Sequence, residues 1–280
     1  MPLRIIKASG QPEDFLTEKL VDSLVRSGAP ENIARDIAIK VEKQITHGSH
    51  TKHIFRMAKK LLRRYNRVSD MRYSIKKAIY ALGPAGYQFE KYFARILRAY
   101  GYTVQVNRIM KGYCVTHEVD VLAGRDRKWC VVECKYHSNG GIPADVKVAL
   151  YVHSRYLDIK KAYDLSNKND ISIQEGWLVT NTRCSSDAIK YAECAGLKIV
   201  SWKYPEKESL EKMIETSRLY PVTILSSITK NAVGTLFGNG IILAMDIADM
   251  DEETLTKKSG LDAGIAKILK KEADALCHSV

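Results

Sequence analysis

Asp120, Glu133 and Lys135 are the residues whose types and spacing suit the hydrolysis of a phosphodiester. Two carboxylates facing one point form a hard oxygen site for a divalent cation, and a lysine beside them can orient an attacking water or help to deprotonate it. The elements that must position them follow from the local pattern. In His117-Glu118-Val119-Asp120-Val121 and in Val131-Val132-Glu133-Cys134-Lys135, apolar and polar residues alternate, which predicts two strands. The charged stretch Gly124-Arg125-Asp126-Arg127-Lys128 between them predicts the turn of a hairpin. Glu133 and Lys135, two apart on one strand, share a face, and Cys134 takes the other. Such a hairpin gathers Asp120, Glu133 and Lys135 at one strand end.

An Asp, a short gap and Glu-x-Lys resemble the PD-(D/E)xK nuclease active site in its Mrr-like restriction-endonuclease form. The resemblance opens at Gly86-Tyr87-Gln88-Phe89-Glu90, at the start of a helix, and passes Gly101-Tyr102 and the site. It continues through Trp177-Leu178-Val179-Thr180-Asn181, Ala188 and Tyr191 to about Trp202; Val119 stands where the family name has proline. The resemblance implies Mg2+ or Mn2+ held by Asp120, Glu133 and the main-chain carbonyl of Cys134. It gives Lys135 the task of positioning water and offsetting phosphate charge, and Glu90 that of supporting the metal site from the first helix. DNA is then the substrate, in restriction, antiviral defence or repair, and double-strand cutting by a chain with one site implies a homo-oligomer, at least a dimer. Two other readings use the same residues: a nucleotide-responsive DNA-binding regulator with an inactive nuclease core, and an RNase. His117 and His137 flank the site as structural or DNA-contacting residues, because imidazole is not magnesium's preferred partner.

Length and charge agree with this chemistry. A chain of 280 residues suggests two or three domains. Residues 1–83 carry 17 Lys and Arg against 8 Asp and Glu, residues 84–205 carry 18 against 12, and residues 206–280 carry 9 against 12. A basic first two-thirds fits a polyanionic partner, whereas the acidic last segment is a poor DNA grip. No stretch approaches the ~20 apolar residues of a membrane span, and Met1-Pro2-Leu3-Arg4 lacks the apolar run of a signal peptide, so a soluble, cytoplasmic protein is expected. The 6 cysteines form no CxxC pair, and most lie in apolar segments, which predicts buried thiols in a reducing compartment.

The N-terminal pattern predicts a strand over Leu3–Lys7 and four helices. The first runs from Glu13 to Arg26 and ends at Gly28, the second starts at Pro30, Thr51 caps the third, and Ser69 caps a fourth that runs to Gly83. This layout, with Ile6-Lys7, Gly10, Phe15, Lys19-Leu20 and Thr51 to Ile54, resembles the ATP-cone, a nucleotide-sensing domain. The resemblance implies ATP or dATP as a regulatory ligand, with Lys7 and Lys19 on the phosphates and Thr51 close by. Ala8 and Phe55 stand where the family often has arginine and histidine. The basic set Arg56, Lys60, Arg63, Arg64 and Arg67 falls on one helix face, best explained as solvated, and His47, His50 and His53 lack the partners of a zinc site.

Further along, Ala144–Leu165 is apolar at helical intervals, Ser185 or Ser186 caps a helix ending at Gly196, and Leu197–Ser201 forms a last strand. From Leu210 the chain is expected to be wholly helical. The tract from Leu236 to Ala275 resembles helix-hairpin-helix modules, but Asp262 places an anion where phosphate would sit, which favours protein packing. The expected fold is multidomain α+β. An ATP-cone-like domain spans 1–83, a restriction-endonuclease-like mixed sheet flanked by helices spans 84–205, and an all-α module spans 206–280.

Overall fold

Alternation around Ile5 and helical spacing after Leu16 translate into real elements, with additions that only pairing reveals. The computed structural model describes residues 3–83, 86–166 and 171–278. By its contacts the chain divides into two compact units, Leu82–Leu219 and a second formed by Met1–Ala81 together with Tyr220–Val280. The three sequence segments thus become two bodies, and the 83/84 boundary adjoins residues 84–85, outside the described residues.

The N-terminal part comprises β1 (Arg4–Ile6), β2 (Pro12–Asp14), α1 (Thr17–Arg26), α2 (Glu31–Glu42), β3 (Ser49–His50), α3 (Thr51–Tyr65), α4 (Arg67–Tyr73) and α5 (Ile75–Tyr80). The order in its sheet is β2-β1-β3. The helix expected from Glu13 starts only at Thr17, because Pro12–Asp14 pairs with β1 as an antiparallel strand. Thr51 is the first residue of α3, with His50 at the cap position. The fourth expected helix is two, and its cap is Asn66, whose side chain accepts the Ser69 N–H. Leu20, Val21, Leu24, Ile37, Val41 and Leu62 form the buried core.

The central unit comprises α6 (Tyr87–Ala99), β4 (Thr103–Lys111), β5 (Thr116–Arg125), β6 (Lys128–Lys135), α7 (Val146–Asp164), β7 (Ser172–Thr180), α8 (Ser186–Ala195), β8 (Lys198–Val200) and α9 (Leu210–Ser217). Its sheet has the order β4-β5-β6-β7-β8, antiparallel from β4 to β6 and parallel from β6 to β8. This is the expected mixed sheet. The β5–β6 turn is tighter than expected: Gly124 belongs to the ladder opposite Trp129, and the two linking residues, Asp126 and Arg127, have φ of 55° and 66°. Left-handed values at both positions match the twist of a two-residue hairpin. Asp145 caps α7 by accepting the Val148 N–H, and Ser185 caps α8 by accepting that of Ala188. α7 lies so close to β7 that a Cβ at Gly176 would fall 2.6 Å from Tyr156 Cγ.

In the C-terminal part, a 3-10 turn (Val222–Ile224) precedes α10 (Lys230–Gly238), α11 (Ala244–Ala248), α12 (Glu252–Ser259) and α13 (Ala263–His278). The segment is therefore not wholly helical; a β-bridge also joins Pro221 to Leu243. It packs against the N-terminal helices within the same unit. Thr223 Oγ1 donates to the Ala78 carbonyl at 2.7 Å, and Glu272, 4% exposed, accepts from Arg67 and from Ser227. Asp262 Oδ1 accepts the N–H groups of Gly264 and Ile265, so the donors that a phosphate would use at the start of α13 are occupied internally. The cysteine expectation needs correction: Cys130, Cys134 and Cys277 are buried, but Cys114 and Cys194 are exposed and Cys184 is intermediate. Apolar neighbours in sequence did not bury Cys114, which lies beyond β4. Among the described residues, no helix is long and apolar enough to cross a membrane.

Candidate active site

The β5–β6 hairpin carries the site. Val121 pairs with Val132, so the next residues outward, Asp120 and Glu133, stand at the end of the paired ladder. Asp120 is tied across it: its Oδ2 accepts the Cys134 N–H at 2.7 Å. Lys135, two residues beyond Glu133, pairs with Thr180 at the end of β7 and keeps its side chain exposed. Asn181 braces the same strand ends, accepting the His137 N–H at 2.8 Å and donating to the His137 carbonyl at 2.7 Å. Glu90 comes from the first turn of α6, as its sequence position implied.

Two residues join the site that the sequence reading missed. Asn107 on β4 has φ of 51°, and the β4–β5 ladder skips it: Val106 pairs with Val121 and Arg108 with Val119, which leaves Asn107 facing Asp120. Its amide nitrogen lies 3.4 Å from Glu90 Oε2 as donor. An asparagine inside an alternating strand was the available signal, since asparagine tolerates the left-handed region better than most residues. The second is Arg155 on α7, whose guanidinium donates to Glu133 Oε2 at 2.6 Å, to Tyr151 Oη at 3.1 Å and to the Glu118 carbonyl. Its i, i+4 spacing from Tyr151 was legible, but nothing local linked it to Glu133.

The acids are short of positive charge. Burial is the main cause that raises the Glu133 carboxyl to about 7; the Asp120 and Glu90 charges add to it, while Arg155 and Lys135 oppose it. Asp120 is also raised by burial, against the Cys134 N–H and Arg155, and Glu90 by burial and by Asp120, against Asn107. Three part-buried carboxyl groups, each raised by burial and by a neighbouring acid, make a deficit of the kind a divalent cation fills. Among the described residues no group of three or more His, Cys, Asp and Glu side chains is arranged to hold a metal. A donor set of two carboxylates and the Cys134 carbonyl contains only two such side chains, and its all-oxygen chemistry fits Mg2+ or Mn2+. An open cleft of about 440 Å³ adjoins the acids, lined by Glu90, Asn107, Glu118, Asp120, Tyr151 and Arg155 among others.

His117 is structural here. Its Nε2 lies 2.7 Å from Asp158 Oδ2, and Asp158 also accepts the Cys114 and Val115 N–H groups, which ties the β4–β5 connection to α7. That set of donors, His117 first, lowers the Asp158 carboxyl. Burial and the nearby Lys135 charge lower His137, and its Nε2 is buried with no partner among the described residues.

In the other unit, Lys7 and Thr51 line one cleft of about 670 Å³ with Gly10, His50, His53 and Arg56. Lys19 and Thr51 line a neighbouring one with Glu13. Both lysines bind Glu13, Lys7 at 3.1 Å and Lys19 at 2.7 Å, and these bonds lower its carboxyl. The expected pair of cations is thus together, but around a carboxylate.

Comparison with known proteins matches residues 84–206 to the family described as restriction endonuclease (the Mrr catalytic domain). Residues 220–277 match the family described as AF1548-like, C-terminal. A relative from Archaeoglobus fulgidus, described as an uncharacterized protein, is 37% identical over 180 residues, or 64% of this chain and 97% of the relative. The crystal structure of AF1548, a protein of unknown function, aligns with a TM-score of 0.59 at 34% identity, covering 69% of this chain and 99% of the other.

Proposed function

This chain belongs to the family that joins an Mrr-type restriction-endonuclease domain to an AF1548-like C-terminal domain, and from that premise we propose that it is a metal-dependent DNA endonuclease. The observation that carries the reading is the convergence of Asp120 and Glu133 at the end of one ladder, with Lys135 on the same strand as Glu133. Asp120, Glu133 and the Cys134 carbonyl would hold Mg2+ or Mn2+. When bound, the cation supplies charge that stabilises the phosphate as negative charge grows on it. Asp120 is held in place by the Cys134 N–H. Lys135 positions the attacking water, takes part in its deprotonation and offsets charge on the reacting phosphate. Glu90, held by Asn107, supports the acidic group from α6.

Incubation with plasmid DNA and with RNA, each with and without Mg2+ or EDTA, tests this reading. DNA cleavage that requires the metal and is lost in Asp120→Ala supports it. Cleavage of RNA alone moves the assignment to an RNase, and metal-independent DNA binding without cleavage to a regulator with an inactive core. A one-site chain that cuts both strands would work as a dimer or larger homo-oligomer, in restriction, defence or repair.

A second reading concerns control. The cleft holding Lys7, His50, Thr51, His53 and Arg56 is basic and opens beside the N-terminus of α3, whose cap residue His50 makes no side-chain cap bond. Main-chain N–H groups there favour an anion, and ATP or dATP is the ligand that this cleft would take.

A further inference from the structure

We propose that Arg155 is a resident counter-cation of the carboxylate site, which yields Glu133 when a divalent metal enters and turns the freed nitrogen to a DNA phosphate. The inference rests on the nuclease reading of Asp120 and Glu133 and adds a positioning residue to it. Arg155 is the cation in direct contact with Glu133, and the pair is well shielded: their side chains are 14% and 21% exposed. A guanidinium has five donors in a fixed fork, which allows one end to be released while the other stays anchored. The bonding is divided in that way. The nitrogen that binds Glu133 also reaches Tyr151 Oη, whereas the second terminal nitrogen is held by the Glu118 carbonyl on β5.

A divalent cation that coordinates Glu133 meets a guanidinium already bonded to Oε2 of the same carboxylate at 2.6 Å, and the two positive charges repel at that spacing. Metal and guanidinium therefore compete for Glu133. Once the metal has the carboxylate, the released nitrogen keeps its place beside the cleft, because the Glu118 and Tyr151 contacts do not depend on Glu133. Arginine is suited to phosphate by its planar donor pair. The arrangement holds the acids together in the metal-free state and offers the cation to substrate only in the loaded state.

Binding measurements on the full-length protein separate this inference from the nuclease reading. Titration calorimetry with Mn2+ in the absence of DNA, at alkaline pH so that loss of the guanidinium does not leave Glu133 protonated, should show Arg155→Met binding the metal at least ~10-fold tighter than the parent, since a competing positive charge is gone. Arg155→Lys keeps a competing charge and should stay within about threefold of the parent. In Ca2+, without cleavage, Arg155→Met should bind duplex DNA about tenfold more weakly, with a salt slope smaller by about one phosphate contact. Unchanged or weaker metal binding in Arg155→Met, or tightening in Arg155→Lys equal to that in Arg155→Met, overturns the competition. Unchanged DNA binding overturns the phosphate contact. If neither parent nor variant binds Mn2+, the nuclease reading falls and takes this inference with it. Should Arg155→Met fail to fold, as judged by its melt, Arg155→Gln replaces it: it removes the charge, keeps a polar side chain and should also tighten Mn2+ binding.

Discussion

The main-chain N–H of Cys134 donates to Asp120 Oδ2 at 2.7 Å, so one acid of the site is fixed by the strand that carries the other. The spacing of Asp120 and Glu133 is thereby set by the β5–β6 ladder and not by two independent side-chain rotamers. Positioning on strands gives the precision that a catalytic constellation needs.

Loss of any member of that hairpin group should abolish cleavage without unfolding the chain. Asp120→Ala, Glu133→Ala and Lys135→Ala are each expected to slow DNA cleavage by at least ~100-fold, the order found when a charge-stabilising group is removed. Rates from plasmid nicking, beside melting curves for each variant, check this. An Asp120→Ala protein as fast as its parent sinks the assignment.

A pH dependence follows from Glu133. Its carboxyl is raised from 4.5 to about 7, so the stabilising contribution of the protonated form is complete below about pH 4.5 and is lost as pH rises through 7. Metal-free protein should melt at progressively lower temperature across that window, and Glu133→Gln should flatten the slope. Metal binding needs the ionised form, so Mn2+ affinity should climb with pH up to about 7 and level off above it. An affinity that does not change between pH 5.5 and pH 7.5 contradicts the assignment of Glu133 as ligand.

Nucleotide control is open to calorimetry on the full chain, because residues 1–81 share a unit with 220–280 and their independent folding is not to be assumed. ATP or dATP should release heat that Lys7→Ala or Thr51→Ala removes. Both lysines already bind Glu13, so Glu13→Gln should tighten binding by freeing them. No heat at millimolar nucleotide would falsify the sensing role. A regulatory effect also requires unequal affinity for two states of the protein, seen as a nucleotide-dependent change in cleavage rate.

Within the discontinuous unit, Glu272 is the polar anchor. Its side chain is buried and bonds Arg67 and both donors of Ser227. Glu272→Ala leaves the Ser227 N–H without its partner and should cost roughly 1–3 kcal/mol in a denaturant melt. Arg67 is half exposed, so Arg67→Ala should cost less.

Asp120, Glu133 and Lys135 were legible because strand alternation fixes which side chains share a face, and a short charged link between two such strands implies a hairpin; the two-residue turn that sets its register was not. Glu90 was legible through its place at the start of a helix. Arg155 was not: it sits in a helix 22 residues after Glu133, and its contact with that acid depends on how α7 crosses the sheet. Asn107 looked like an ordinary strand residue until the skipped pairing showed it facing Asp120. Strands β2 and β3, of three and two residues, are too short for periodicity to register, and pairing with β1 alone defines them. The association of 1–81 with 220–280 had no local signature, since Thr223 and Ala78 meet across 145 residues.

That last association sets an order of events during synthesis. The nuclease unit is one continuous stretch, Leu82–Leu219, and all of its sheet partners are synthesised before residue 220. The N-terminal helices emerge first, yet part of the surface they bury arrives last, on the 3-10 turn and α13. A nascent chain that has emerged as far as Leu219 would therefore carry a complete nuclease unit while its N-terminal segment still had α4 and α5 uncovered, and that interval is when chaperones would have most to hold.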